Sequence, residues 1–545
     1  MKYLRWIYNM VRPQRWAMVV MMLCHVLLAG CAVGFVYISK HLVDVAVNIL
    51  QGGPAGDRLW VLAAGMVGIV LLRIGLNALR SYLQVKTEIR MKNRMRRRLF
   101  DILLHMQSDG GPRRHTGDIL NRMQEDVRQV SSVCAVSLPN IFGTLLQFAA
   151  AFVFLMILEP RLGLIVVVVA PLGILAGKFV TSRIRKLTHN IRESDAKVQS
   201  HLQESVQNIT LLQSMEYADA SASSLGELQG GLYGNELRRA KFSILSRIVM
   251  AIAFQAAQTV AFLWAVFGIS KGTVTYGMMT AFLQLVGQIQ RPLVDLSTQI
   301  PAVIHATASI DRIMELEALP REEEVEPCML PGTAGVRFEG VHFAYPDAVK
   351  PILSDFSYDF RPGSRTAILG PTGVGKSTMI RLLLSLLRPQ AGAITVYSTG
   401  NISSQASPAT RCNLVYVPQG NSLFSGTVRD NLLMGNPEAT EDQLRDALHT
   451  AAADFVLELP SGMDTQCFES GGGLSEGQAQ RIAIARALLR PGSILLLDEF
   501  SSALDSETEI TLMQRLTASL PDHTMIFITH RDRIIDYCDS VLRLG

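Results

Sequence analysis

The chain has little cysteine and little charge. Only 7 of its 545 residues are cysteine, and none of them forms a CxxC pair. An odd, scattered set of this kind argues against a disulfide framework and against a cysteine zinc site. Charged residues make up 18% of the chain and the formal net charge is +4. This surplus is too small to indicate a nucleic-acid-binding protein.

Long apolar runs fill most of the first 300 residues. The mean hydropathy is +0.25 and 49% of the residues are hydrophobic, which is too apolar for one soluble domain. A bilayer-spanning helix needs about 20 apolar residues. Runs of this length occur at 16–38, 59–82, 135–158, 161–182, 246–270 and 275–299. The last run is the least apolar, and Glu159-Pro160-Arg161 alone joins the third to the fourth, which predicts a tight hairpin.

Basic residues are sorted between the two sides of these predicted spans. Lysines and arginines cluster before the first span, after the second at 86–98, and after the fourth at 183–197. The opposite connections offer only Arg58, Arg161 and Lys271. Positive loops stay in the cytoplasm. We therefore expect a multi-pass protein of the inner (cytoplasmic) membrane whose N-terminus and C-terminal half are both cytoplasmic.

Two predicted inner connections, about 83–134 and 183–245, have helical patterning and are far longer than loops need to be. We expect them to extend the membrane helices into the cytoplasm.

Several polar residues interrupt the apolar runs: Arg73, Asn77, Asn140, Gln147, Gln255, Gln258, Gln284, Gln288 and Arg291. Polar side chains are costly against lipid, so these should face the bundle interior or a wet cavity. Substrate contact and interhelical hydrogen bonding both remain open for the glutamines. We expect Arg73 and Arg291 to form ion pairs between helices or to lie near a membrane boundary.

A phosphate-binding loop follows in the second part of the chain. Gly370–Ser377 reads GPTGVGKS, after an apolar strand-like run and before a helical pattern. Glycines let backbone N–H groups curl around phosphate oxygens, and the helix N-terminus adds partial positive charge. Lys376 would reach the β- and γ-phosphates, and the Ser377 hydroxyl can bind Mg²⁺.

Further motifs downstream occur in the order of a known family. Leu474–Gln478 (LSEGQ) resembles the LSGGQ signature of ATP-binding-cassette (ABC) ATPases, and Leu495–Glu499 (LLLDE) resembles their Walker B segment. Tyr345, Gln419, the D-loop Ser502–Asp505 and His530 match the other landmarks. The six predicted spans are similar to the exporter type of ABC transporter. In such exporters the bends of the cytoplasmic extensions are coupling helices, and the segments at 116–122 and 208–217 resemble the first and the second of them.

The resemblance implies a role for each matching residue. Nucleotide binding falls to Tyr345, Gly370, Pro371, Thr372, Gly373, Val374, Gly375, Lys376, Ser377, Thr378, Ser475, Gly477, Gln478, Asp498 and Asp505. The catalytic residues implied by the resemblance are Glu499, His530 and Gln419, and Glu499 would polarise the attacking water. The cofactors are ATP and Mg²⁺, the metal being held by Ser377, Gln419 and, through water, Asp498.

One protomer cannot complete such a site. The chain carries one phosphate loop and one signature, and in this family the signature of one cassette closes over ATP held by the other. We expect Ser475 and Gly477 to cap the γ-phosphate of a partner protomer. Two copies could build two complete sites, which favours a homodimer over a heterodimer. Glu476 departs from the family's glycine and is expected to point away from the phosphate.

Together these features predict a six-helix, all-α transmembrane bundle at 1–315, a linker at 316–335 and an α/β P-loop cassette at 336–545. The predicted function is ATP-driven export of an apolar or amphipathic compound, lipid or peptide by alternating access. Two alternatives stay open, namely an ATPase that regulates a channel or partner complex, and an importer built on the exporter fold.

Overall fold

The computed structural model describes residues 2–52, 57–107, 116–346, 348, 350–371, 373–400, 402–468 and 473–544, without the side chains of 4, 162, 164–179, 181, 293, 297 and 298. The chain divides into two compact units. The first contains residues 1–99 and 117–315, and the second contains residues 100–116 and 316–545.

In its described residues the first unit consists of helices joined by short turns. Its helices are α1 (Lys2–Val11), α2 (Arg15–Leu50), α3 (Arg58–Leu104, which ends in the second unit), α4 (Thr116–Asn121), α5 (Val127–Ser132), α6 (Leu138–Leu158), α7 (Pro160–Gln207), α8 (Ile209–Ser214), α9 (Ala218–Ser270) and α10 (Tyr276–Glu317). Two π-helical turns, Arg122–Asp126 and Val133–Ser137, join α4, α5 and α6 into one continuous helical segment.

Four helical stretches of the described chain are long and apolar enough to cross a membrane: Arg5–Leu50, Arg58–Leu104, Gly117–Leu158 and Ala218–Ser270. The predicted span at 161–182 lies in α7, mostly on residues whose side chains the structure does not describe. The predicted span at 275–299 lies in α10, which carries three glutamines and Arg291 within residues 284–291. These polar residues explain why α10 is less apolar than the four stretches named above.

Two local predictions are confirmed. Glu159, in an extended conformation, is the only residue between α6 and α7, so the third and fourth spans do form a tight hairpin. Short helices also occupy both predicted bends, α4 in the first and α8 in the second.

Apolar and polar contacts both hold the helical unit together. Val36 of α2, Leu155 of α6, Ala265 of α9 and Phe282 of α10 belong to one buried cluster. Near the other end of α10, the buried Asp126 carboxylate accepts hydrogen bonds from Ser309 Oγ at 2.8 Å and Arg312 Nε at 2.8 Å. This buried charge is therefore paired.

The second unit is α/β. Its strands are β1 (Ala334–Phe343), β2 (Leu353–Phe360), β3 (Arg365–Leu369), β4 (Ala391–Ser398), β5 (Ser403–Gln405), β6 (Leu414–Val417), β7 (Gly426–Thr427), β8 (Gln466–Cys467), β9 (Ile494–Asp498), β10 (Thr524–Ile528) and β11 (Ser540–Arg543). Its helices are α11 (Lys376–Leu383), α12 (Val428–Leu433), α13 (Glu441–Thr450), α14 (Phe455–Glu458), α15 (Glu476–Leu488), α16 (Ser506–Ser519) and α17 (Asp532–Ile535).

A parallel sheet forms the centre of this unit. Its strand order is β11-β3-β10-β9-β6, and every residue of β9 and β10 is buried. A second, antiparallel sheet has the order β2-β1-β4-β5. Ligands of open parallel sheets bind at the carboxyl ends of the strands. The phosphate loop follows β3, Glu499 follows β9 and His530 follows β10 by two residues, so neighbouring strands bring all three to one edge.

Candidate nucleotide site

The phosphate loop runs from the end of β3 to the start of α11. Gly373 and Gly375 have φ angles of +88° and +111°, in the left-handed region that favours glycine. A Cβ on Gly375 would lie 2.5 Å from Ile352 Cγ2, so a larger residue would also collide there. These two glycines therefore fix the backbone conformation of the loop. The loop ends at the N-terminus of α11, where free backbone N–H groups favour binding of an anion.

Lys376 is buried at the centre of this site. Its Nζ donates to the Gly370 carbonyl at 2.5 Å and lies 3.0 Å from His530 Nε2. His530 Nε2 also lies 3.3 Å from Glu499 Oε1. The ring nitrogen can accept from Lys376 when it is unprotonated or donate to Glu499 when it is protonated, so it links the two.

Glu499 follows the last residue of β9 and has a φ angle of +47°, which is rare for a residue with a side chain. This turn lets its carboxylate accept a hydrogen bond from Gln419 Nε2 at 2.5 Å. Strained backbone of this kind clusters at functional sites. The structure thus brings Lys376, Gln419, Glu499 and His530 into one connected cluster.

Asp498 is the buried neighbour of Glu499, with 5% of its surface exposed. Burial, together with the charge of Glu499, raises the pKa of the Asp498 carboxyl. The Tyr416 hydroxyl donates to Asp498 Oδ2 at 3.5 Å. Burial and Asp498 also raise the pKa of Tyr416 to about 12, which keeps this phenol a donor at neutral pH.

The Tyr345 hydroxyl lies 3.2 Å from Thr378 Oγ1 and accepts from Arg381 Nη1 at 3.3 Å. Its ring meets Phe343 edge-on, with 5.1 Å between the ring centroids. Tyr345 is therefore held beside α11. Ser377 is exposed on the loop, and Thr372 lies outside the described residues.

The signature segment forms the start of α15. Ser475 is its N-cap, and Ser475 and Gln478 bond each other's backbone N–H groups in a capping box at 3.2 and 3.0 Å. A Cβ on Gly477 would lie 2.7 Å from the Ala503 carbonyl oxygen, so the signature packs on the D-loop.

Two other predicted residues of this region form no hydrogen bond with the described residues of the phosphate loop. Glu476 is exposed, and Asp505 caps α16 by accepting a hydrogen bond from the Thr508 N–H at 3.0 Å. In the described part of the chain no hydrogen bond joins the signature to the phosphate loop.

Sequence reasoning missed three residues of this region, namely Tyr416, Arg381 and Arg531. A tyrosine inside the apolar strand β6, three residues before Gln419, was an available signal for the first. Arg531 donates to the carbonyls of Ser502 and Leu504 at 3.0 and 3.1 Å, and pairs with Glu509 at 3.1 Å. It thereby ties the His530 loop to the D-loop.

Replacing Arg531 should destabilise the cassette. Glu509 is 2% exposed, and removing the partner of a buried charge costs about 3–5 kcal/mol. Arg531 is itself partly exposed, so we expect Arg531→Ala to cost about 2 kcal/mol and to lower the cassette's melting transition by about 4–8 °C. The double variant Arg531→Met with Glu509→Met should recover most of the loss. Equal melting temperatures for the wild type and Arg531→Ala would contradict a stabilising Arg531–Glu509 ion pair.

Comparisons with known proteins agree with this arrangement. A family model of the ABC transporter transmembrane region matches residues 18–293, and a second, ABC transporter, matches residues 353–502. The Bacillus subtilis ATP-binding/permease protein YgaD, assigned provisionally to multidrug export, is 28% identical over 98% of this chain and 93% of its own. The mycobactin import ATP-binding/permease protein IrtB of Mycolicibacterium smegmatis is 30% identical over 75% of this chain and 71% of its own.

A solved structure of a bacterial Atm1-family ABC exporter with ATP bound has the same fold. It matches with a TM-score of 0.79 at 23% identity, over 98% of this chain and 94% of the other. The predicted fold class, a helical transmembrane bundle followed by an α/β P-loop cassette, is therefore confirmed.

Proposed function

The chain belongs to the ABC transporter family, and we propose that it is a half-transporter which uses ATP to export an apolar or amphipathic compound, lipid or peptide across the inner membrane. It is a membrane protein that binds and hydrolyses ATP. The observation that carries the proposal is the cluster of Lys376, Gln419, Glu499 and His530 beside a phosphate loop, in a chain with membrane-spanning helices.

The geometry supports a division of labour within the ATP site. The loop N–H groups and Lys376 would bind the β- and γ-phosphates, and Tyr345, held beside α11, would stack on the base. Glu499, held by Gln419, orients the attacking water, and His530 contacts the γ-phosphate. Their effect is positioning and electrostatic stabilisation, which dominate phosphoryl transfer.

The residues present fit Mg²⁺. Ser377 and Gln419 offer neutral oxygens, and burial raises the pKa of the Asp498 carboxyl, whose ionised form a cation would stabilise. A bound Mg²⁺ neutralises charge that develops on the phosphate oxygens.

We further propose that two copies of this chain form the working transporter. Ser475, Gly477, Gln478 and Asp505 would close over ATP held by the partner's phosphate loop. Glu476 is exposed in the single protomer, and its carboxylate would point away from the partner's phosphate in the dimer. We place the membrane domain at 1–315, the linker at 316–335 and the cassette at 336–545, with both termini cytoplasmic.

The chain expressed alone should be a dimer that hydrolyses ATP in lipid. Its mass in lipid nanodiscs, measured by native mass spectrometry, should equal two chains, and Glu476→Gly should change turnover by less than about threefold, because the capping contacts of Ser475 remain. A monomer that becomes active only with a second half-transporter would contradict the homodimer.

A screen for compounds that stimulate this ATPase would identify the substrate. Stimulation that depends on a purified partner channel, without movement of any compound, would favour the regulatory alternative.

A further inference from the structure

The helical unit contains a polar cavity of about 350 Å³ that the ATP site does not use. Residues of α2, α3, α6 and α10 line it. In the proposed topology these residues come from the middle of the first span and from the cytoplasmic halves of the second, third and sixth. The cavity would therefore lie in the cytoplasmic half of the bilayer.

Positive charge dominates the lining of this cavity. Arg73 and Arg80 enter from α3 and Arg291 enters from α10, while Asp295 is the single acidic residue among the lining residues. Three arginines against one aspartate leave a formal excess of two positive charges. Charges at membrane depth are costly, and where they persist they usually mark a ligand pathway.

These arginines have no polar partner for their guanidinium groups among the described residues. In the described part of the chain no hydrogen bond or ion pair engages the guanidinium groups of Arg73, Arg80 or Arg291, and Arg80 Nε is buried without a hydrogen-bond partner. The ion pairs expected for Arg73 and Arg291 are thus not seen. Arg312 in the same unit differs, because its charge is paired with Asp126.

His25 adds a further unused polar atom to the cavity. Its Nε2 is buried without a hydrogen-bond partner among the described residues. The ring rests against Gly143, where a Cβ would lie 1.9 Å from His25 Nδ1. The cavity wall therefore depends on a residue without a side chain at position 143.

We propose that this cavity binds the acid group, carboxylate or phosphate, of an anionic substrate. Planar guanidinium groups bind both anions through paired, charge-assisted hydrogen bonds. A volume of about 350 Å³ lies at the small end of the range for ligand pockets, so a long apolar chain attached to the acid group would lie outside it. This inference rests on the proposed transport function and gives its substrate a charge.

Binding of matched ten-carbon probes to the full-length protein in zwitterionic nanodiscs, without nucleotide, tests the proposal. Decyl phosphate and decanoate should bind at least about tenfold more tightly than decyltrimethylammonium, since each hydrogen bond to a charged group is worth a factor of about 10–100. Arg80→Gln and Arg291→Gln should each weaken binding of decyl phosphate by a similar factor. Arg80→Lys, which keeps the charge, should weaken it less.

Arg58→Gln is the matched control, because Arg58 is exposed at the start of the same helix as Arg80 and lies outside the cavity. It should bind decyl phosphate like wild type. Inorganic phosphate that competes with decyl phosphate would show that the acid group alone suffices. Failure to compete, with decyl phosphate still bound through Arg80, would assign the site to a membrane-derived amphipath.

Equal affinities for the anionic and cationic probes, or equal binding by Arg80→Gln, Arg291→Gln and Arg58→Gln, would overturn the proposal. Since these measurements need no ATP, they can fail while ATP-driven transport of another compound succeeds. Loss of transport with intact anion binding would instead contradict the proposed function alone.

Discussion

Glu499→Gln should bind ATP with nearly unchanged affinity and lose almost all turnover. The amide keeps the size and the hydrogen-bonding reach of the carboxylate but cannot polarise a water as a base. Positioned general bases contribute about 10²–10⁴-fold to rate. The phosphate loop and Lys376 are untouched by the change, so affinity should persist. ATPase assays and ATP calorimetry on the purified protein in lipid would measure both quantities.

The matched control for this change is Glu438→Gln, because Glu438 is an exposed carboxylate remote in sequence from every nucleotide motif. It should hydrolyse ATP at the wild-type rate. A Glu499→Gln variant that retained more than about a tenth of wild-type turnover would count against Glu499 as the main catalytic carboxylate.

Lys376→Ala should instead weaken nucleotide binding itself. The Lys376 ammonium lies inside the loop, where it donates to the carbonyls of Gly370 and Pro371, so it brings a full positive charge to the proposed phosphate site. Charge-assisted hydrogen bonds are worth about 1.5–3 kcal/mol, so ATP affinity should fall by about 10–100-fold. Equilibrium titration with ATP would measure the loss.

Removing an exposed cation on α13, by Arg445→Ala, controls for the change in net charge and should leave ATP affinity as in wild type. Unchanged affinity in Lys376→Ala would contradict the role of Lys376 in phosphate binding.

Much of the fold was predictable because its signals are local. Apolar runs set the spans, and the lone connection at 159–161 could only be a hairpin. The resemblance of 116–122 and 208–217 to the coupling helices of exporters predicted α4 and α8. The phosphate loop was readable because glycine spacing, the preceding strand and the following helix are all contiguous in sequence.

Contacts between distant residues were not readable in the same way. Gln284 donates to Ser39 Oγ at 3.0 Å and Gln288 donates to the Ala32 carbonyl at 3.3 Å, so both form hydrogen bonds between helices. The sequence pattern could not distinguish this role from contact with a substrate. The cavity arginines were visible in the sequence, but whether acidic side chains pair with them depends on how α3 and α10 pack, and among the described residues none does. Likewise, only the fold brings Arg531 to Glu509.

The most direct test of the account is ATP-driven movement of a substrate identified by stimulated ATPase. Protein reconstituted so that the cassette faces outward should accumulate that substrate inside the vesicles with ATP and Mg²⁺. Glu499→Gln vesicles should not accumulate it. The account predicts uptake that stops when ATP is exhausted and is lost with the variant. ATP-dependent release of preloaded substrate, or ATP hydrolysis without movement in either direction, would contradict export.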